Sequence, residues 1–320
     1  MTGTIRNKNR AFLIAVISLA VIGLLAAPAG AALTTHGRNL DLGRVDNQKN
    51  QVGSLNWGGY VAAASFPSSG TPAAGVTSVN ASWKVQTAAS TSTTTYSAQW
   101  TGIGGFFSSD SSLIQLGTES DYYNRAGHYD AWIEMLPNAE QVIPLTIKPG
   151  DTIVAGISPA PGSNAWFMNM TDVTTGKSYT TTGSYTSSKL SGEYIEERPE
   201  LCSRFSCSLT TLANFGTAYY GSDNTNQPST EFLTLSGSFV ALGSSQVQNE
   251  SIIMYANNGQ TQIAIPSPLS TDGTSFKMTY MPSTSSVRNG VPEFVPERWG
   301  YSGNSDIVDR APGPLDVFRH

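Results

Sequence analysis

The sequence predicts an all-β fold, an antiparallel sandwich or jelly roll. Short runs of alternating apolar and polar residues recur along the chain, the period of a half-buried strand. Gly, Pro and Asn punctuate these runs at turn-like positions. No amphipathic helix of three turns is visible after residue 31. With 31 Gly and 17 Pro, and without Ala/Glu/Lys/Leu periodicity, a coiled coil or helical bundle is disfavoured. A chain of 320 residues can bury a sizeable core as one large domain or two small ones.

Taken in order, residues 1–31 read as a secretory signal. Arg6, Lys8 and Arg10 precede an apolar run from Ala11 to Ala27, and Ala29-Gly30-Ala31 offers a small-x-small cleavage site. As a helix the run is roughly 26 Å long, short of a ~30 Å bilayer core, so cleavage and secretion are expected rather than an anchor. Residues 32–53 are polar and aperiodic, and we expect a short pro-segment or linker there. The sandwich domain is expected over 54–283. Val79, Ala81, Trp83 and Val85 alternate with polar residues, and so do Tyr96, Ala98 and Trp100. Leu145 and Ile147 before Pro149-Gly150-Asp151, with Ile153, Ala155 and Ile157 after it, predict a hairpin. Thr175-Gly176 and Asn258-Gly259 predict two more turns. Strands continue to about Tyr280, and 284–320 reads as an irregular tail. Cys202 and Cys207, five apart, suit a disulfide that staples one loop in an oxidising compartment.

Composition narrows the function. Net charge is −5 and no basic cluster lies outside the N-terminus, which disfavours nucleic acid as a partner. Removing Arg6, Lys8 and Arg10 takes the charge from −5 to −8. So few cations build little self-repulsion when carboxylates protonate, which suits an acidic extracellular medium. No membrane partner is expected once the signal is gone, and a monomer is expected.

The chemistry is bounded by what is missing. Of three histidines, His36 falls in the presumed pro-segment and His320 at the terminus, leaving His128 as the one placed to serve a site. There is no HExxH, no GxSxG, no Asp-Thr-Gly or Asp-Ser-Gly, and no phosphate loop. No metal or organic cofactor is expected. Carboxylates and amides on strands remain. Period 2 puts Asp130, Trp132 and Glu134 on one face of their strand, and Glu193, Ile195 and Glu197 on one face of another. Gln115 sits among apolar residues in Leu113-Ile114-Gln115-Leu116-Gly117, where its amide needs partners.

Six segments then occur in a telling order: Asn56-Trp57-Gly58-Gly59-Tyr60, Trp100-Thr101-Gly102-Ile103-Gly104-Gly105, Ile114-Gln115-Leu116-Gly117, Tyr129-Asp130-Ala131-Trp132-Ile133-Glu134, Val173-Thr174-Thr175-Gly176 and Glu193-Tyr194-Ile195-Glu196-Glu197. Over roughly residues 54–282 the chain resembles the glutamic endopeptidases, the eqolisin or G1 peptidase family. The resemblance implies a lectin-like (concanavalin-like) β-sandwich, polypeptide substrates and hydrolysis in acid. It implies that Gln115 and Glu197 are catalytic, with Glu193 and Glu196 as adjacent alternatives to Glu197. It implies that Trp57, Trp100, Asp130, Glu134 and Glu193 line or brace the cleft. Gly104 stands where the family usually carries an acid, and Met135 and Leu136 where it carries aromatics, so subsite preference is expected to differ.

The implied chemistry is coherent. A His base is protonated in acid, whereas a carboxylate near its usual ~4.3 can still take a proton from water. An amide keeps its N–H at any pH and can face a developing oxyanion. The rival expectation is a carbohydrate-active sandwich, either a glycoside hydrolase using Glu134 and Glu197 with Gln115 on the sugar, or a lectin-like glycan-binding module.

Overall fold

A computed structural model describes residues 33–45, 50–68, 72–163, 165–203 and 206–282. The expected signal at 1–31 and the tail at 284–320 lie outside the described residues. Among the described residues, twenty-one strands and one helical turn follow in chain order. They are β1 Leu33–Thr35, β2 Asp41–Arg44, β3 Gln51–Ser54, β4 Trp57–Ala63, β5 Val76–Lys84, β6 Ala98–Gly104, β7 Leu113–Tyr123, β8 Ala126–Met135, β9 Gln141–Val142, β10 Thr152–Pro159, β11 Ala165–Asp172, β12 Lys177–Ser184, β13 Ser191–Glu197, β14 Glu200–Cys202, β15 Cys207–Leu209, β16 Thr217–Gly221, α1 Ser222–Thr225, β17 Phe232–Leu235, β18 Ser238–Ala241, β19 Gln248–Tyr255, β20 Gln262–Pro266 and β21 Ser275–Tyr280.

The pairings form the predicted sandwich. One layer runs β2-β3-β19-β4-β13-β6-β7-β8-β9, antiparallel except for β3 with β19. The other centres on β5, which pairs with β10 on one edge and with β16 and β17 on the other. The β19–β20 pairing joins the two layers, with a register shift at Met254/Tyr255. The core lies between them. Tyr60, Ala62 and Tyr194 of the first layer pack with Val79, Trp83, Ile153, Met168 and Tyr220 of the second. Removing these side chains from water is the driving force, at about 25 cal/mol per Å² of apolar surface.

Turn chemistry matches the sequence reading at Gly176 (φ 71°) and Gly259 (φ 64°), where left-handed backbone joins paired strands. One expectation needs correction. Residues 143–147 and β10 do not form a hairpin: β10 pairs with β5 and β11, while Gly150 N–H donates to Val85 and Val85 N–H donates to Asp151. Ile143, Leu145 and Ile147 alternate as buried residues, so the period was read from core packing without a ladder behind it. The described part of the 32–53 segment, expected as a pro-segment or linker, carries regular structure. It holds β1, β2 and β3, and β1 adds to the β14–β15 hairpin as a third strand.

Candidate active site

The outward face of the first layer is built by strand period and register. Three rows of side chains cross it. Glu193, Gly102, Gln115 and Glu134 stand in line on β13, β6, β7 and β8. Ile195, Trp100, Gly117 and Trp132 form the next row, and Glu197, Ala98, Glu119 and Asp130 the third. Trp57, paired with Glu197 in register, extends the third row onto β4. The glycines in these rows make room for the indoles. A Cβ on Gly117 would lie 2.5 Å from the Gln99 carbonyl oxygen and 2.7 Å from Trp132. On this outward face Trp57, Val61, Trp100, Leu113, Trp132, Ile195 and Ile252 form a second buried cluster, separate from the core between the layers.

Gln115 and Glu197 therefore point to the same side of the sheet. Glu196, one residue on, points the opposite way into the core, where Gln86 and Tyr220 donate hydrogen bonds to it at 2.8 and 3.1 Å. Alternation thus separates the two candidates: Glu197 belongs to the floor and Glu196 does not.

A stretch of the chain's own N-terminal segment lies across this floor. His36 is fully buried. Its ring stacks on Trp132 at 3.7 Å with 6° between planes. Nδ1 is 3.1 Å from Glu197 Oε2, and Nε2 is 2.9 Å from Glu140 Oε2 and 3.5 Å from Glu119 Oε1. The His36 N–H donates to Glu134 Oε2 at 3.1 Å. The His36 carbonyl accepts from Gln115 Nε2 at 2.7 Å. Gln115 Nε2 also donates to Glu134 Oε2 at 2.8 Å, so Glu134 fixes which end of the amide faces the groove. Trp100 Nε1 donates to Glu197 Oε2 at 2.7 Å, and Trp57 Nε1 donates to the Gly37 carbonyl at 3.0 Å.

Burial dominates the site's titration. It pushes Glu197 above the usual carboxylate range, with His36 and Trp100 pulling part of the way back. It pushes Glu134 to about 7 against the opposing pull of His36 and Thr35. Burial, with Asp121 and Glu140 adding repulsion, pushes Glu119 well up. Burial also holds Glu193 well up. For His36 burial works the other way, but the hydrogen bonds to Glu140 and Glu197 outweigh it and the imidazole sits well above 6.5.

Of the residues singled out from sequence, Gln115, Glu197, Trp57, Trp100 and Glu134 are brought together at one point of the floor. Glu193 shares their face but is sealed beneath it. Asp130 is on the same face at its exposed outer end. His128 is a correction. It stacks on Tyr123 at 3.6 Å beside the β7–β8 turn, and His36 is the histidine in the site. The reason is chain return: an aperiodic segment comes back over a sheet formed much later in the sequence, and no local pattern announces that. Glu119 was within reach, because extending the alternation from Gln115 through Gly117 lands on it. Glu140 comes from a loop and carries no such signal. His36, Glu119 and Glu140 offer ligand atoms within 4.8 Å of one another, a set that could hold a metal, but imidazole–carboxylate hydrogen bonding accounts for the same cluster. Cys202 and Cys207 form the predicted disulfide across the β14–β15 hairpin.

Residues 55–265 match the Peptidase A4 family. The chain belongs to the Peptidase A4 family. That match spans the floor, its tryptophans, Gln115 and Glu197, and it agrees with the glutamic endopeptidase resemblance carried by the motifs. Two solved structures share the fold of this A4 peptidase. Scytalido-glutamic peptidase with a transition state analog inhibitor is 23% identical, with TM-score 0.55, covering 71% of this chain and 98% of that one. SCP-B, a member of the Eqolisin family in a complex with the tripeptide Ala-Ile-His, is 22% identical, with TM-score 0.52 and the same coverage. A search of curated proteins found no match. Membership of a peptidase family sets aside the carbohydrate-active alternative.

Proposed function

We propose that this A4 peptidase is a secreted, monomeric endopeptidase that cuts polypeptides in acid with Glu197 and Gln115. One observation carries the reading: a peptide carbonyl lies 2.7 Å from Gln115 Nε2 while the same residue's ring touches Glu197. The two groups thus reach one peptide unit from two strands. In its ionised form Glu197 takes a proton from water, whose oxygen attacks the scissile carbonyl carbon. Oε2 is held by Trp100 and His36, which leaves Oε1, with its long 3.5 Å contact to Asn56, to receive that proton. The same carboxyl then passes the proton to the leaving nitrogen. Gln115 donates to the oxygen as it becomes negative, and Glu134 keeps the amide N–H turned toward it. Both similar structures hold a peptide or an inhibitor, in line with a polypeptide substrate here.

Gln115→Ala is expected to lower kcat on a denatured protein by about 10²–10³, with KM changing far less. Loss of KM alone would make Gln115 a binding residue and overturn its oxyanion role. The secreted form is expected to lack residues 1–31, and mass spectrometry of culture supernatant reads this directly.

A further inference from the structure

Thr35 to Leu40 are held in the groove the way an enzyme holds a substrate. We infer that His36–Gly37 is the bond this peptidase cuts in itself, and that Trp132, Glu119 and Glu140 form the subsite selecting histidine on the acyl side of the cut. The inference rests on the catalytic reading above and extends it to a class of substrate.

The backbone contacts come first, because they do not depend on side-chain identity. β1 adds antiparallel to β14, with Thr34 opposite Leu201 and Thr35 opposite Glu200, the strand-addition mode of peptide capture. Beyond it, His36 N–H donates to Glu134 and its carbonyl accepts from Gln115. The Gly37 carbonyl accepts from Trp57, and the Arg38 carbonyl accepts from Asn56 Nδ2 at 2.9 Å. Asn39 N–H donates to the Gly105 carbonyl, and Leu40 N–H donates to Asn56 Oδ1. Only one carbonyl in this run meets Gln115, and it belongs to His36. That defines the bond presented to the pair.

Selectivity comes from the His36 ring. Its two nitrogens face only carboxyl groups, whose oxygens accept hydrogen bonds from it. A protonated imidazole donates from both nitrogens and lies flat on an indole, satisfying Glu197, Glu140 and Trp132 together. Leucine in this place would leave Glu119 and Glu140 facing hydrocarbon, and a site built for polar partners rejects analogues that lack them. On the leaving side a Cβ at Gly37 would come within 3.0 Å of Glu200 Oε2, so a larger residue must push that side chain aside. The cut consumes one water: the His36 C–N bond breaks, oxygen adds to the His36 carbonyl carbon, and the proton passes through Glu197 to the Gly37 nitrogen.

The test has two arms. The full chain is held at pH 4 and its new N-terminus sequenced; Gly37 is expected, and an active enzyme that keeps the His36–Gly37 bond overturns the self-cleavage. The processed enzyme is then given the octapeptide of residues 33–40 and the same peptide with leucine replacing the histidine. We expect kcat/KM to favour histidine by about tenfold or more, and the ratio to fall toward one in the Glu119→Gln, Glu140→Gln double variant. Equal cutting of both peptides, with denatured protein still hydrolysed, overturns the subsite and leaves the peptidase reading intact. Failure to hydrolyse denatured protein at all overturns both.

Discussion

Gly117 decides whether two indoles can lie over the sheet. A methyl group there meets the Gln99 carbonyl oxygen and Trp100 Cβ, both at 2.5 Å, and neither is the loose end of a flexible chain. Gly117→Ala is therefore expected to destabilise by about 1–3 kcal/mol, read as a lower Tm, and to reduce kcat/KM by tilting Trp132. An unchanged Tm would mean that the floor yields more easily than its packing implies. At this scale the sequence was informative wherever a residue sits in a strand. The family resemblance singles out Gln115, Glu134 and Glu197, period 2 assigns their faces, and Glu196 separates from Glu197 once the core side is known. His36 was illegible, since a histidine in a polar, aperiodic stretch carries no sign of where the chain will lay it. Asp130 shows the limit of a facing argument: it shares a face with Glu134 but ends up at the exposed rim.

The β14–β15 hairpin links covalent structure to the groove. Its disulfide closes a short loop, worth about 2 kcal/mol in the chain-entropy model, and the hairpin's free edge is where β1 docks. Replacing Cys202 and Cys207 by Ser is expected to lower Tm modestly and to slow cleavage at His36–Gly37 more than cleavage of small peptides outside this edge. Time courses of both reactions check this; equal slowing would detach the hairpin from substrate capture. The disulfide and the turns at Gly176 and Gly259 could be read locally. Strand partners could not, and so residues 143–147 and β10 resemble a hairpin in the sequence. Their alternation reflects burial of Ile143, Leu145 and Ile147 against the core, and burial has the same period with or without a ladder.

Across the whole molecule, buried carboxyls set the response to pH. Burial raises Glu134 to about 7 and Asp121 to about 8, and raises Glu119, Glu193, Glu196 and Glu231 well above the usual range. His36 is raised too, by its hydrogen bonds against burial. Each group holds its proton to a higher pH folded than unfolded, so the folded chain binds more protons and stability falls as pH rises. The contribution is fully present below the unfolded carboxylate values near ~4 and is lost through about 7 and 8 for Glu134 and Asp121. Tm is expected to be higher at pH 4 than at pH 8; a Tm that climbs over that interval contradicts the account. The scarcity of cations pointed the same way from composition alone, whereas the buried carboxyls needed the fold to be seen. The most direct measurement of the catalytic claim sets neighbouring carboxyls against each other, with denatured protein as substrate at pH 4. Glu197→Gln should lose at least about 10² in kcat, while Glu196→Gln, which touches only the core, should keep most of its turnover. Near-normal hydrolysis by Glu197→Gln would show that the proton goes elsewhere.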